Sequence, residues 1–168
     1  MKGAGLDLRT AGLLTADTGI LLVQAMVNGV ETVAAQLGTA IDANRDNTVC
    51  ELMWGSPGTM LASLWLYEWT GQGIWAERFR RDANLLWNKL EFVAEVGCHL
   101  WVQNLYGHKA PHIGAVHGFA GNAFAVLRGW HLLSDSGLRA QYCGRRRYGR
   151  ASPQANPVSL SNQSIDRL

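Results

Sequence analysis

Residues 114–133, GAVHGFAGNAFAVLRGWHLL, place one histidine and a pair of glycines directly before a strongly apolar run. Residues 51–71, ELMWGSPGTMLASLWLYEWTG, repeat that design. Gly55-x-x-Gly58 aligns with Gly118-x-x-Gly121, which sets Trp54 opposite His117 and Thr59 opposite Asn122. A looser copy at 15–37, TADTGILLVQAMVNGVETVAAQL, carries Gly19 in the corresponding place. Each apolar run is helical in length and apolar nearly all round, which predicts helices buried on both sides. Between two of them, 74–92 (IWAERFRRDANLLWNKLEF) spaces Trp75, Phe79, Ala83, Leu86 and Leu90 by three and four residues. That is the period of an amphipathic helix with a charged outer face.

The order is therefore buried helix, amphipathic helix, glycine turn and buried helix again. Two-helix units of this kind hide their apolar faces by stacking on their neighbours. The steps from Gly19 to Gly58 and from Gly58 to Gly121 are unequal, so the repeat is degenerate and carries insertions. One is CHLWVQNLYGHKAPHIG at 98–114, whose aromatic residues, Gly107 and Pro111 suit a short hairpin or strand pair. The pattern as a whole predicts an all-α fold of stacked helical hairpins over residues 1–133.

Composition sets the outer limits. A chain of 168 residues, 48% apolar and with seven tryptophans, builds one domain with a substantial core. Residues 1–136 hold nine Lys/Arg against twelve Asp/Glu, whereas 137–168 hold six Arg against one Asp. The body is mildly acidic and the basic balance sits at the end, which argues against a nucleic-acid face. Three cysteines without repeated spacing fit a reducing compartment. No early apolar run is long enough to span a bilayer, so the expectation is a cytoplasmic chain with no membrane partner. From Ser134 onward the sequence turns to Arg, Ser, Asn, Gln and Gly, a composition that predicts a disordered basic tail over 134–168.

The two glycine turns, followed by QNLYG and then IGAVHGFAGN in that order, resemble the lanthionine synthetase C-like family. The likeness covers about residues 11–133. It implies an α/α toroid whose inner helices begin at Gly-x-x-Gly turns around a central cavity. It also implies zinc-assisted addition of a thiol, from a peptide cysteine or from glutathione, to dehydroalanine or dehydrobutyrine. The family's zinc is held by a cysteine in one later turn and a Cys-His pair in another, and neither turn follows Asn122 in this sequence. The resemblance therefore implies a partial toroid: no zinc ligands of its own, no catalysis alone, and an open face suited to self-association.

Two positions carry over as catalytic candidates. His117 matches the histidine of the family's HGxxG turn, and Glu51 stands seven residues before Gly58, where lantibiotic cyclases have an aspartate. A carboxylate that orients an imidazole is a sound arrangement for moving protons. Trp54, Gly55, Gly58, Gly118, Gly121 and Asn122 are the expected cavity-lining set. The bland alternatives are a helix-capping role for His117 and a first-turn carboxylate favoured by the helix dipole for Glu51.

Other features carry less. Cys98-His99 has Leu100 where a zinc turn has glycine, and one Cys-His pair is not a zinc site. His108 and His112 flank Gly107 and Pro111 and read as loop histidines. Ser56 lacks the strand–turn–helix context of a nucleophile, and neither glycine turn has a P-loop lysine. Two other functions fit an incomplete ring. One is a carbohydrate-active toroid, which needs a second carboxylate such as Glu68 beside Glu51. The other is a non-enzymatic binding module.

Overall fold

A computed structural model of the chain describes residues 11–144 apart from Tyr106, and the side chains of 11–140 within that range. Helix α1 (Asp17–Asn28) leads through a 3-10 turn (Val30–Thr32) to α2 (Ala34–Asn44). Helices α3 (Ser56–Thr70) and α4 (Gly73–Asn88) follow, then strands β1 (Leu90–Val93), β2 (Cys98–Leu105) and β3 (His108–Pro111). Helices α5 (Phe119–Leu133) and α6 (Ser136–Gly144) complete the described chain.

The fold is mostly helical, but the all-α expectation needs correcting. The insertion is a three-stranded antiparallel sheet in the order β1-β2-β3. Leu90 pairs with Trp101 and Gln103 with Ala110. Gly97 and Gly107, at φ +65° and +82°, supply the left-handed conformations that turn each strand back on the next. The amphipathic period of α4 predicts that helix through Leu90, yet the helix stops at Asn88 and Leu90 opens β1. The indole Nε1 of Trp101 donates to the Leu86 carbonyl at 2.7 Å, so β2 itself satisfies the end of α4.

Helix α3 is the centre of the core. Every residue from Ser56 to Leu64, and Leu66 beyond, is buried. Trp75, Phe79, Ala83 and Leu86 of α4 pack inward as their spacing predicts. Gly129 of α5 lets the Phe79 ring lie against the helix, since a β-carbon there would fall 1.9 Å from its Cζ. Asp42 of α2 receives Arg78 at 3.1 Å and Arg81 at 2.7 Å, tying α2 to α4. Helix α1 departs from the buried-all-round expectation. Thr18, Leu22 and Ala25 face the core, while Ile20, Val23 and Val27 are 63%, 61% and 75% exposed. Gly29, at φ +91°, ends that helix where the apolar run alone predicts continuation.

The tail expectation from Ser134 also changes at its start. Ser136–Gly144 is helical, with the Gly137 and Leu138 amides donating to Asp135 Oδ1 and Leu138 buried at 4%. An N-terminal aspartate and one anchored leucine outweigh the polar composition there. The remainder of the expected tail, residues 145–168, lies outside the described residues. None of the described helices is long and apolar enough to cross a membrane.

Candidate functional site

The glycine turns are structural repeats as well as sequence repeats. A β-carbon on Gly19, Gly58 or Gly121 would lie 2.2, 2.1 and 2.1 Å from the carbonyl oxygens of Leu13, Leu52 and Ala115. Each of those carbonyls belongs to the residue six before its glycine, so the three turns share one tight coil. Neighbouring turns are stitched through their backbones: the Leu14 amide donates to Met53 O at 3.2 Å, and the Leu52 amide to Val116 O at 3.1 Å. Side chains follow the same order, with Leu13 lying against Gly58 and Leu52 against Gly121. The second and third turns are therefore held side by side, and with them Glu51 and His117.

The Glu51 side chain is fully buried and lies 2.9 Å, Oε2 to Nδ1, from the His117 ring. The Met53 amide donates to Oε2 at 3.0 Å and the Trp54 amide to Oε1. A buried carboxylate requires such donors, and three of them converge here. Neither bland alternative describes the result. Helix α5 begins at Gly118 without a side-chain cap, and Nδ1 of His117 is engaged by Glu51. Glu51 lies in the loop ahead of α3, bonding loop amides. With a carboxylate on Nδ1, the neutral ring keeps its proton on that nitrogen and presents an unprotonated Nε2. The His117 side chain is 42% exposed, so a substrate can reach it. Trp54 stands beside it, ring centroids 5.7 Å apart and tilted by 44°.

The expected lining set divides. Trp54 flanks the histidine as the repeat alignment implies. Gly55, Gly58, Gly118 and Gly121 are buried against backbone carbonyls and shape the turns. Asn122 is fully buried, and its Nδ2 donates to Cys50 O at 2.7 Å. Glu68 sits near the far end of α3 with Arg128, 2.5 Å away, and is not brought to Glu51. A groove of about 1090 Å³ lies between α1 and α2, lined by Ile20, Leu21, Gln24, Gln36 and Thr39 among others. It contains neither Glu51 nor His117.

Sequence reasoning missed Gln103. Fully buried on β2, it accepts from the Cys50 amide at 2.9 Å through Oε1 and donates to Cys50 O through Nε2. A signal was available: Gln103 is two residues from Trp101, so a strand puts both on one face.

Zinc requires about three or four donors at defined geometry. Among the described residues no three His, Cys, Asp or Glu side chains gather to hold a metal. Burial pushes the Cys50 thiol up, away from the thiolate form that binds metal. His99, the neighbour of Cys98 on β2, packs edge-on against Phe92 at 5.4 Å. The described residues do not fit the ion.

No protein-family model, curated protein or solved structure matches the chain.

Proposed function

We propose that Glu51 and His117 form the proton-handling pair of a partial lanthionine synthetase C-like ring, which alone steers protonation in thioether formation on dehydroalanine or dehydrobutyrine without accelerating the addition. The observation that carries this reading is the 2.9 Å contact between a fully buried carboxylate and an accessible imidazole on adjacent repeat turns. In that reaction a thiol loses its proton, its sulfur bonds the β-carbon of the alkene, and the α-carbon gains a proton. Nε2 of His117 takes up a proton from water and, as the imidazolium that Glu51 stabilises, delivers it to the α-carbon, while the thiol's own proton passes to the buffer. Thiol activation is not assigned to the described residues. The same proposal reads the three stitched turns, with α1, α3 and α5 starting from them, as an arc of an α/α toroid. It includes a second copy of the chain as a partner, supported by the apolar stripe of Ile20, Val23 and Val27 on α1.

The test exploits the fact that thiolates add to dehydroalanine slowly without a catalyst in mildly alkaline buffer. Glutathione and a dehydroalanine peptide are incubated with the purified chain, and the two diastereomers of the product are quantified. Protonation by an imidazolium fixed on one side favours one face of the α-carbon, so the ratio departs from that of buffer alone. The bias disappears in His117→Asn. A ratio equal to buffer alone at saturating protein overturns the proposal.

A further inference from the structure

Three side-chain atoms converge on the backbone of Cys50, one residue before Glu51. The Cys50 amide donates to Gln103 Oε1 at 2.9 Å, and Cys50 O accepts from Gln103 Nε2 and from Asn122 Nδ2, the latter at 2.7 Å. Gln103 and Asn122 are both fully buried, and their partner Cys50 is 3% exposed. The next residues are fixed as well: Gly55 N donates to Glu51 O at 3.0 Å, and Leu52 N to Val116 O at 3.1 Å. Residues 50–52 are thereby gripped from β2, from α5 and from the third turn.

We propose that Gln103 is a positioning residue for the Glu51–His117 pair, and that the inserted sheet is part of the site. The inference rests on the reading of that pair as the reactive one. Its physical basis is the two-point contact. One amide side chain satisfies both the backbone donor and the backbone acceptor of a buried residue, as a neighbouring strand would, and so fixes the two peptide planes that meet at the Cys50 Cα. The Glu51 Cα lies in the second of those planes, and the carboxylate follows Cα. Asn122 supplies a single contact and still leaves the Cys50 amide without a partner if Gln103 is removed. A buried amide left unpaired draws the segment toward another arrangement. Shifts of about 1 Å in a catalytic group suffice to lose most of its advantage.

The test reads the His117 ring by long-range proton–nitrogen NMR on the full chain, at a pH where the imidazole is neutral. The native protein shows one tautomer, with the proton on Nδ1. Glu51→Gln loses that signature, which checks the pair itself; if the ring spectrum is unchanged in Glu51→Gln, the reading of the pair fails. Gln103→Met keeps the side chain's length and removes both hydrogen bonds. It yields a mixture of tautomers and at least a halving of the diastereomer bias. Leu100→Val, also buried on β2, perturbs the strand without touching Cys50 and keeps the native spectrum. Gln103→Asn retains an amide too short for both contacts; it gives an intermediate mixture and carries the test if Gln103→Met does not fold. A single Nδ1–H tautomer in folded Gln103→Met, or in Gln103→Asn where that is the folded variant, overturns the role of Gln103. So does an equal loss in Leu100→Val.

Discussion

The turns ending at Gly58 and at Gly121 have one backbone and two chemistries. Each coils so that its last glycine meets a carbonyl six residues earlier, and each launches a helix from an extended glycine at Gly55 or Gly118. At matched positions the second turn has Glu51 and Trp54 where the third has Gly114 and His117. Neither turn holds an acid–base pair alone. The pair exists because the Leu52–Val116 hydrogen bond sets the turns side by side. Duplicated scaffolds with divided side chains let a site form across repeats while each repeat keeps its fold.

The sharpest way to break this comparison is to attack the shared backbone. Gly58→Ala and Gly121→Ala each force a β-carbon to within 2.1 Å of a carbonyl oxygen. Each is expected to cost on the order of 3 kcal/mol and to lower Tm by about 10 °C. Gly114→Ala is the internal control, because nothing lies within 4 Å of its added carbon. It is expected to stay within about 0.5 kcal/mol of wild type. Thermal melts of the three variants decide the matter, and unequal losses at Gly58 and Gly121 would end the claim that the turns are equivalent.

A smaller effect separates the two halves of the pair. Glu51→Leu removes a buried acceptor and strands the Met53 and Trp54 amides, with an expected loss of about 2–3 kcal/mol. His117→Ala removes a side chain that is 42% exposed, and its expected loss is under about 1 kcal/mol. Denaturant titrations should therefore show the acid holding its turn together while the base is dispensable to the fold. Equal losses would mean that the histidine is structural.

The smallest effect lies beyond the third turn, at the start of α6. Arg80, 2.8 Å from Asp135, holds that carboxyl below its ordinary value, with help from the Leu138 and Gly137 amides. A carboxyl whose folded value is depressed stabilises the protein fully above the ordinary range, near about pH 4. That contribution fades as pH falls through the folded value. Asp135→Asn is expected to melt slightly below wild type at neutral pH, with the gap closing in strong acid. A gap that persists at low pH would assign the effect to capping alone.

Much of this was readable in advance, for identifiable reasons. Gly58 and Gly121 advertise the turns because only glycine tolerates a carbonyl at that distance. Glu51 and His117 were legible because both are indexed to those glycines. The apolar faces of α4 announced themselves by period. Gln103 had no such index. It reaches Cys50 from a sheet inserted between repeats; the two-residue step from Trp101 marks the face it shares but not the distant segment which that face meets. The open face of α1 was hidden for a different reason, since an apolar run records hydrophobicity without recording which side a neighbour covers. The break at Gly29 was hidden too, because one left-handed glycine ends a helix without disturbing the apolar count.

The stitches between turns store the repeat's alignment at its joints instead of along its connectors. A chain built this way can lengthen a connector without losing alignment, because no spacing between turns has to be counted. The sheet that separates α4 from the third turn is such an addition, and through Gln103 it reaches back to touch the second turn. An insertion that leaves the joints in step is free to acquire a role of its own, which makes the connectors the places where repeats of this design can gain specificity.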